Sequence, residues 1–338
     1  MSVNMSKSAT GNKRNITSGR TSVDNIKIVD MTPNVKNAAL QKYLPTVLFP
    51  QRISFEVSPV SNAVSNAIRR TVACELPVWR MSTEYANVTT NDAFIIPEMV
   101  IQRLRMIPVD QTISVGTTFD IAASNNLTYE RDVKSSEMQT KGRSGLPFNG
   151  TYTLFTLKPG KTIKITNIKL ESAHGFEPGY GMHTVAVNAS SVAVDQIPIN
   201  TFEKDLGGGI PSSMSDPRKW KVSFTTNGDM HPKAIVIAAC NNIILRVQAV
   251  QDILQSMTTS TDEYNLVIPG ENHTVGNLLM RTILDLYPDI LAVVYTPGNL
   301  ERTCTMRVRC DDDINDVYTS AIKHIVKTFS EIKNAVNN

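Results

Sequence analysis

The chain has 338 residues, enough for two or three domains at roughly 100–200 residues each, and its 41% hydrophobic content excludes a largely disordered protein. Its 34 basic and 31 acidic side chains give a net +3, but residues 1–23 hold Lys7, Lys13, Arg14, Arg20 and no acid; the remaining 30 bases and 31 acids leave no excess for gripping DNA unaided. Four cysteines without C-x-x-C spacing exclude a cysteine-framed zinc module, and with no signal-peptide core or apolar run of membrane-span length the chain is expected to be soluble and intracellular.

Residues 1–50 are expected to be a disordered tail, rich in Ser, Thr, Asn and Lys, followed from about residue 25 by an extended arm broken by Pro33, Pro45 and Pro50. The first strong signal follows Arg52, where Ile53, Phe55 and Val57 alternate with polar residues as in a half-buried strand. Val60, Ala63, Val64, Ala67, Ile68, Thr71 and Val72 then recur at helical spacing, so 60–75 is predicted to be an amphipathic helix closed by Pro77. A strand is expected over 78–89.

The same order returns at an offset of 211 residues. Leu266–Ile268 lead through Pro269-Gly270 into a helix with Val275, Leu278, Leu279, Ile283 and Leu286 inward; Pro288 closes it, and a strand through Leu291–Tyr295 follows. Val64, Asn66, Arg70, Thr71 and Pro77 match Val275, Asn277, Arg281, Thr282 and Pro288, which reads as a duplicated module. Each copy ends in a long helix. Val236, Ile243 and Val247 lie on the stripe of 232–257, and Ile322, Ile325 and Phe329 on that of 313–336. Stripes of this length need a large partner surface. It is either the other copy, which gives an intramolecular pseudo-dimer, or an ordinary core within each of two separate domains.

The resulting expectation is an α+β fold of two modules, each with helices packed on an antiparallel sheet. The first comprises 51–108 plus 224–257 and the second 264–338, joined by a polar linker over 258–263. A mostly β domain with strands at 152–157, 163–170 and 184–194 is inserted over 109–223.

Catalytic chemistry is not expected. His174 and His183 flank a Gly-rich stretch with Glu177 between them, better read as a turn-rich loop than as a hydrolytic or metal site; Gly207–Gly209 lack the G-K-[ST] of a phosphate loop, and Asp311–Asp313 suit a helix N-cap. Arg69-Arg70 at the end of the first helix suit the helix dipole, but such a pair can also clamp a partner's carboxylate. Asn66 and Asn277 are poor mid-helix residues, and their repetition suggests a hydrogen bond at an interface.

These residues resemble a known family. Asn66-Ala-Ile-Arg-Arg70, Glu75-Leu-Pro77 and Glu98…Arg103-Leu104…Ile107-Pro108 are similar to motifs of the α-like subunits of multisubunit DNA-directed RNA polymerases, in particular the third-largest subunit. Glu271-Asn-His-Thr-Val-Gly-Asn-Leu-Leu279 resembles the signature of its small partner, the eleventh subunit, with Asn272 in place of the usual Asp and Gly298-Asn299 in place of His-Pro. Both in one chain resembles the arrangement in large cytoplasmic DNA viruses.

The resemblance implies a non-catalytic assembly scaffold in transcription, whose two α-like modules pair to form a platform for the two largest subunits. Asn66, Arg69, Arg70, Glu98, Arg103, His273, Gly276 and Asn277 would face pairing or large-subunit surfaces. Small subunits resembling the tenth and twelfth would be neighbours, DNA and RNA would be met only through the complex, and neither a homodimer nor a membrane is expected. No metal or cofactor is expected in this chain, the catalytic magnesium belonging to the largest subunit. A viral source would place the protein in the virion and the host cytoplasm, with the nucleus possible. The competing reading is a free-standing structural or DNA-binding virion protein.

Overall fold

A computed structural model describes residues 20–30, 51–82, 87–107, 109, 116–141, 151–177, 183–191, 219–227, 230–255, 263–298, 302–311 and 313–338. Residues 1–19 and 31–50 of the expected tail and arm, the linker up to 262, Gly207–Gly209, Pro108 and Asn299 lie outside them.

In chain order the first elements are β1 (Ser22–Asp30), β2 (Gln51–Ser58) and α1 (Asn62–Arg70), which runs into a π turn over Thr71–Glu75. Next come β3 (Val78–Ser82), β4 (Asn87–Thr90), α2 (Pro97–Arg105), β5 (Thr118–Ser124), β6 (Arg131–Lys134), β7 (Gln139–Lys141), β8 (Thr153–Leu157) and β9 (Thr162–Ala173). The chain continues through β10 (Thr184–Ser191), β11 (Trp220–Thr226), α3 (Pro232–Gln255), β12 (Glu263–Pro269), α4 (His273–Leu286), β13 (Ala292–Pro297), β14 (Thr303–Arg309) and α5 (Ile314–Asn337).

The first copy's sheet has the order β1-β2-β11-β10 and the second copy's β12-β14-β13, all antiparallel. Without β1 the two orders are equivalent, so β10 and β11 are the counterparts of β13 and β14. The insertion therefore differs from the range 109–223 read from sequence. Between α1 and β10 the chain leaves the first copy at Val78 and builds a second core. Met81, Val100, Leu104, Phe119, Ile121, Leu154, Leu157 and Ile165 fill it, and β3 and β4 both pair with β9. The segment after Pro77 forms a strand as a module strand would, but its Met81 is buried in this second core, with Trp79 on the same face packed against it. The strand 184–191, expected in the insertion, closes the first copy's own sheet through β11.

Within the expected tail and arm, Ser22–Asp30 is a strand in register with β2, from Ser22 opposite Ser58 to Asp30 opposite Gln51. The helix expected over 60–75 is α-helical only to Arg70, after which the π turn adds one loose turn before Pro77.

One apolar core serves both copies. It takes Ile53, Phe55 and Val57 from β2, Val222 and Phe224 from β11, Leu266 and Ile268 from β12, and Met306 and Val308 from β14. Four helices fill the space between: α1 packs on α4, and α3 lies along α5. Val236, Ile243 and Val247 of α3 and Ile322, Ile325 and Phe329 of α5 are all buried in this core. By length and hydropathy alone, Pro232–Leu254 could cross a bilayer, contrary to the expectation that no segment reaches that measure. Here its Val236, Ala239, Ile243, Val247 and Val250 are fully buried in the protein's core.

Truncating Phe329, which is fully buried, to alanine is expected to cost about 3–5 kcal/mol. Leu245→Ala on the outer face of α3, where the side chain is 66% exposed, should stay within about 0.5 kcal/mol. Urea unfolding midpoints at constant m-value check both.

Candidate functional site: a buried ion network between the copies

The described residues that bring the most charged groups together lie where α1, α3 and α4 meet. Glu75, the last residue of the π turn, has its side chain only 2% exposed. Pro77 prevents the helix from continuing, and the π turn leaves the carboxylate beneath α3 and the start of α4. Arg246, from the middle of α3, reaches it with Nη1 2.5 Å from Glu75 Oε2. The same guanidinium grips Glu271 of the second copy in a fork, Nε to Oε1 at 2.7 Å and Nη2 to Oε2 at 2.5 Å. One arginine thus joins carboxylates from both copies.

Around this pair the start of α4 closes in. Thr274 Oγ1 donates to Glu75 Oε1 at 2.6 Å and accepts from Arg70 Nε at 2.8 Å. Arg70 Nη2 lies 3.4 Å from Glu75 Oε1 and 3.5 Å from Asn272 Oδ1. Asn272 also caps α4, accepting from Thr274 N–H at 3.3 Å. Gly270, at φ +76°, makes the turn from β12 into α4, a left-handed conformation that a side chain would disfavour. Two arginines and two glutamates balance the charge.

The electrostatics follow from this geometry. Burial raises the Glu75 pKa, but Arg246, Thr274 and Arg70 outweigh it and hold the carboxyl below its ordinary value. Burial likewise works against the charge on Arg246, and Glu271 and Glu75 more than restore it. Removing one member of such a network strands a buried charge, at a cost of about 3–5 kcal/mol, while replacing the whole by apolar groups can be neutral. The network therefore selects one register of α1, α3 and α4 more than it adds raw stability.

Of the residues singled out from sequence, Arg70 lies in the network. His273 and Gly276 lie beside it on α4: His273 is exposed, with Nδ1 3.3 Å from Tyr295 Oη, and a Cβ on Gly276 would sit 2.6 Å from Cys304 Sγ and 2.7 Å from Tyr295 Cδ2. Only glycine lets α4 approach its own sheet this closely. Asn66 accepts from Arg69 Nε within α1 at 3.0 Å, so that bond is local and does not cross to the other copy; Asn277 is half-buried on α4. Glu98 and Arg103 belong to α2 on the second core, Glu98 exposed and Arg103 donating to the Leu154 carbonyl at 2.7 Å. His174 pairs with Glu177 at 3.1 Å, while His183 is buried with Nε2 3.3 Å from the Pro77 carbonyl.

Sequence reasoning missed Arg246, Glu75, Glu271 and Thr274 as site residues. A usable signal existed for Arg246, an arginine set in the apolar run Ile243-Ile-Leu-Arg-Val247, which in a buried helix demands a carboxylate.

The second core is tied to the same junction by the turn after β9. Gly175 N–H donates to the Cys74 carbonyl at 2.9 Å, and the Arg302 guanidinium lies 3.8 Å over the Phe176 ring. Arg302 also donates to the Gly270 carbonyl at 3.2 Å.

Because its folded pKa is depressed, the Glu75 carboxylate contributes stability that is fully present above its ordinary value of 4.5 and is lost as pH falls through the folded value. Glu75→Gln keeps an acceptor oxygen and leaves Arg246 forked on Glu271, so its expected cost at neutral pH is below that of a fully stranded charge, about 1.5–3 kcal/mol. The variant should also lose stability less steeply below pH 4.5, a difference that urea titrations across pH 3–7 measure.

No family model matches the sequence. Over 342 aligned positions the chain is 26% identical to the DNA-directed RNA polymerase RPB3-11 homolog of African swine fever virus strain Badajoz, with 90% of this chain and 94% of that protein covered. The protein of the same description from a Namibian warthog isolate of that virus is 25% identical with the same coverage. Over nine-tenths of its length, the chain is thus a relative of a fused RPB3-11-like RNA polymerase subunit of a large DNA virus.

Proposed function

We propose that the protein is a non-catalytic assembly scaffold of a multisubunit DNA-directed RNA polymerase. Its two copies act as an intramolecular pseudo-dimer whose outer surfaces receive the two largest subunits. The observation that carries this reading is the single core shared by β2, β11, α1 and α3 of the first copy and β12, β14, α4 and α5 of the second. Two modules built around one core spend their apolar faces on each other and present a rigid platform outward. The relation to the RPB3-11 homolog of African swine fever virus supports the polymerase context.

The second core supports a role in receiving further subunits. Phe94 is 75% exposed, and Ile96, Met99 and Met106 are each more than half exposed. Met99, Arg103 and Met106 fall at i, i+4 and i+7 along α2 and its C-cap, outside the stripe of the buried Val100 and Leu104. Four large apolar side chains gathered within thirteen residues of sequence exceed the single exposed residues that ordinary surfaces carry. We assign this face to a neighbouring subunit of the complex, either a large subunit or a small one resembling the tenth or twelfth. The active-site magnesium would lie in the largest subunit, and nucleic acid would be met through the assembled enzyme.

Affinity purification of the tagged chain from its native source at low salt, followed by mass spectrometry, is expected to recover two large polymerase subunits. Met99→Glu combined with Met106→Glu should reduce recovery of at least one partner by tenfold or more while leaving the unfolding midpoint unchanged. A chain recovered alone or as a homo-oligomer would contradict the scaffold.

A further inference from the structure

β1 has no counterpart among the described residues of the second copy. Among the described residues, β12 is an edge strand of its sheet, whereas its equivalent β2 is covered by β1. The extra strand does more than extend a sheet. Val23 and Ile26 pack against the core shared by both copies, and β1 lies against α5, the last helix of the second copy. Just before the strand, buried Thr21 donates its backbone N–H to Glu331 Oε2 on α5 at 2.8 Å. This contact joins residues 310 positions apart. A buried backbone donor needs an acceptor, and here the acceptor is a carboxylate from the other copy.

The strand is also anchored on its own side. Its register on β2 shifts between Asp24 and Lys27, where Asn25 adopts φ +54° and donates Nδ2 to Glu56 Oε2 at 2.9 Å. Asparagine tolerates that left-handed conformation better than most residues, so the bulge has a sequence cause. The segment is thus held along its length by the first copy's sheet and at its start by the second copy's helix.

We propose that residues 20–30 are a strap that holds the two copies together, with Glu331 as its receptor on the second copy. The segment adds a second pairing surface at α5, independent of the Arg246 network, which lies where α1, α3 and α4 meet. The inference rests on the reading that the copies pair, and the test separates the two.

A specific protease site is placed in the full chain within residues 258–262 and cut after folding, so that the copies stay joined only by non-covalent contacts. Release of the C-terminal fragment from an immobilised N-terminal fragment is then timed in mild urea. The uncut-like complex is expected to persist for the unmodified sequence. Deleting residues 1–30 should speed release tenfold or more, and Glu331→Ala about fivefold, the scale of one lost hydrogen bond. Glu331→Gln keeps an acceptor oxygen and should stay within about twofold. If the deletion variant fails to fold, the two Glu331 variants still decide. Equal release for Glu331→Ala and the unmodified sequence would overturn the strap while leaving pairing intact. Immediate separation of the unmodified fragments in plain buffer would overturn the pairing reading and the strap with it.

Discussion

A guanidinium placed inside a protein must find its countercharge there, because leaving it unpaired in a medium of low polarity costs several kcal/mol. Arg246 sits in that position in the middle of α3, and its two carboxylates come from different copies, Glu75 from the first and Glu271 from the second. Apolar packing alone would tolerate some sliding of α3 against its neighbours, since hydrophobic contact is non-directional. The forked bond to Glu271 and the single bond to Glu75 do not. The π turn, the Gly270 turn and the Asn272 cap are local devices that deliver these groups to one point.

From that point the rest of the architecture can be followed outward. α1 meets α4 at the network and α3 lies along α5, so each helix type packs across the copies on its own kind. The sheets close the two sides with Ile53, Phe55 and Phe224 on one and Leu266, Met306 and Val308 on the other. The second core hangs from the same junction through Gly175 on Cys74 and Phe176 beneath Arg302. The second core and the pairing of the copies therefore share one attachment point.

Much of this was legible from residue order. The stripes of α3 and α5 stand out because 24-residue helices repeat the 3.6-residue period many times. The duplication was visible in Val64/Val275 and Arg70/Arg281 because both copies keep the same strand–helix geometry. The insertion boundary was not. Alternation in Val78–Ser82 tells that a strand has a buried face, not which core that face enters, and β11, which carries β10 with it, joins β2 only through pairings more than a hundred residues apart in sequence. The site was half legible for a related reason. Arg70 could be picked out beside a helix end, whereas Glu75 reads locally as a surface acid and acquires its role only when α3 folds over it. β1 was legible only as part of an extended arm, because Asp24 and Asn25 break the alternation of its apolar residues.

The most direct test of the account is a mutant series on the network, measured by equilibrium unfolding of the full chain. Arg246→Met alone should cost about 3–5 kcal/mol, because it leaves two buried carboxylates with only the partly exposed Arg70 beside one of them. Adding Glu75→Leu and Glu271→Leu should recover most of that loss, because the three groups act as one unit. Costs that simply add across the three substitutions would show that the groups act independently, and would contradict a junction built on Arg246.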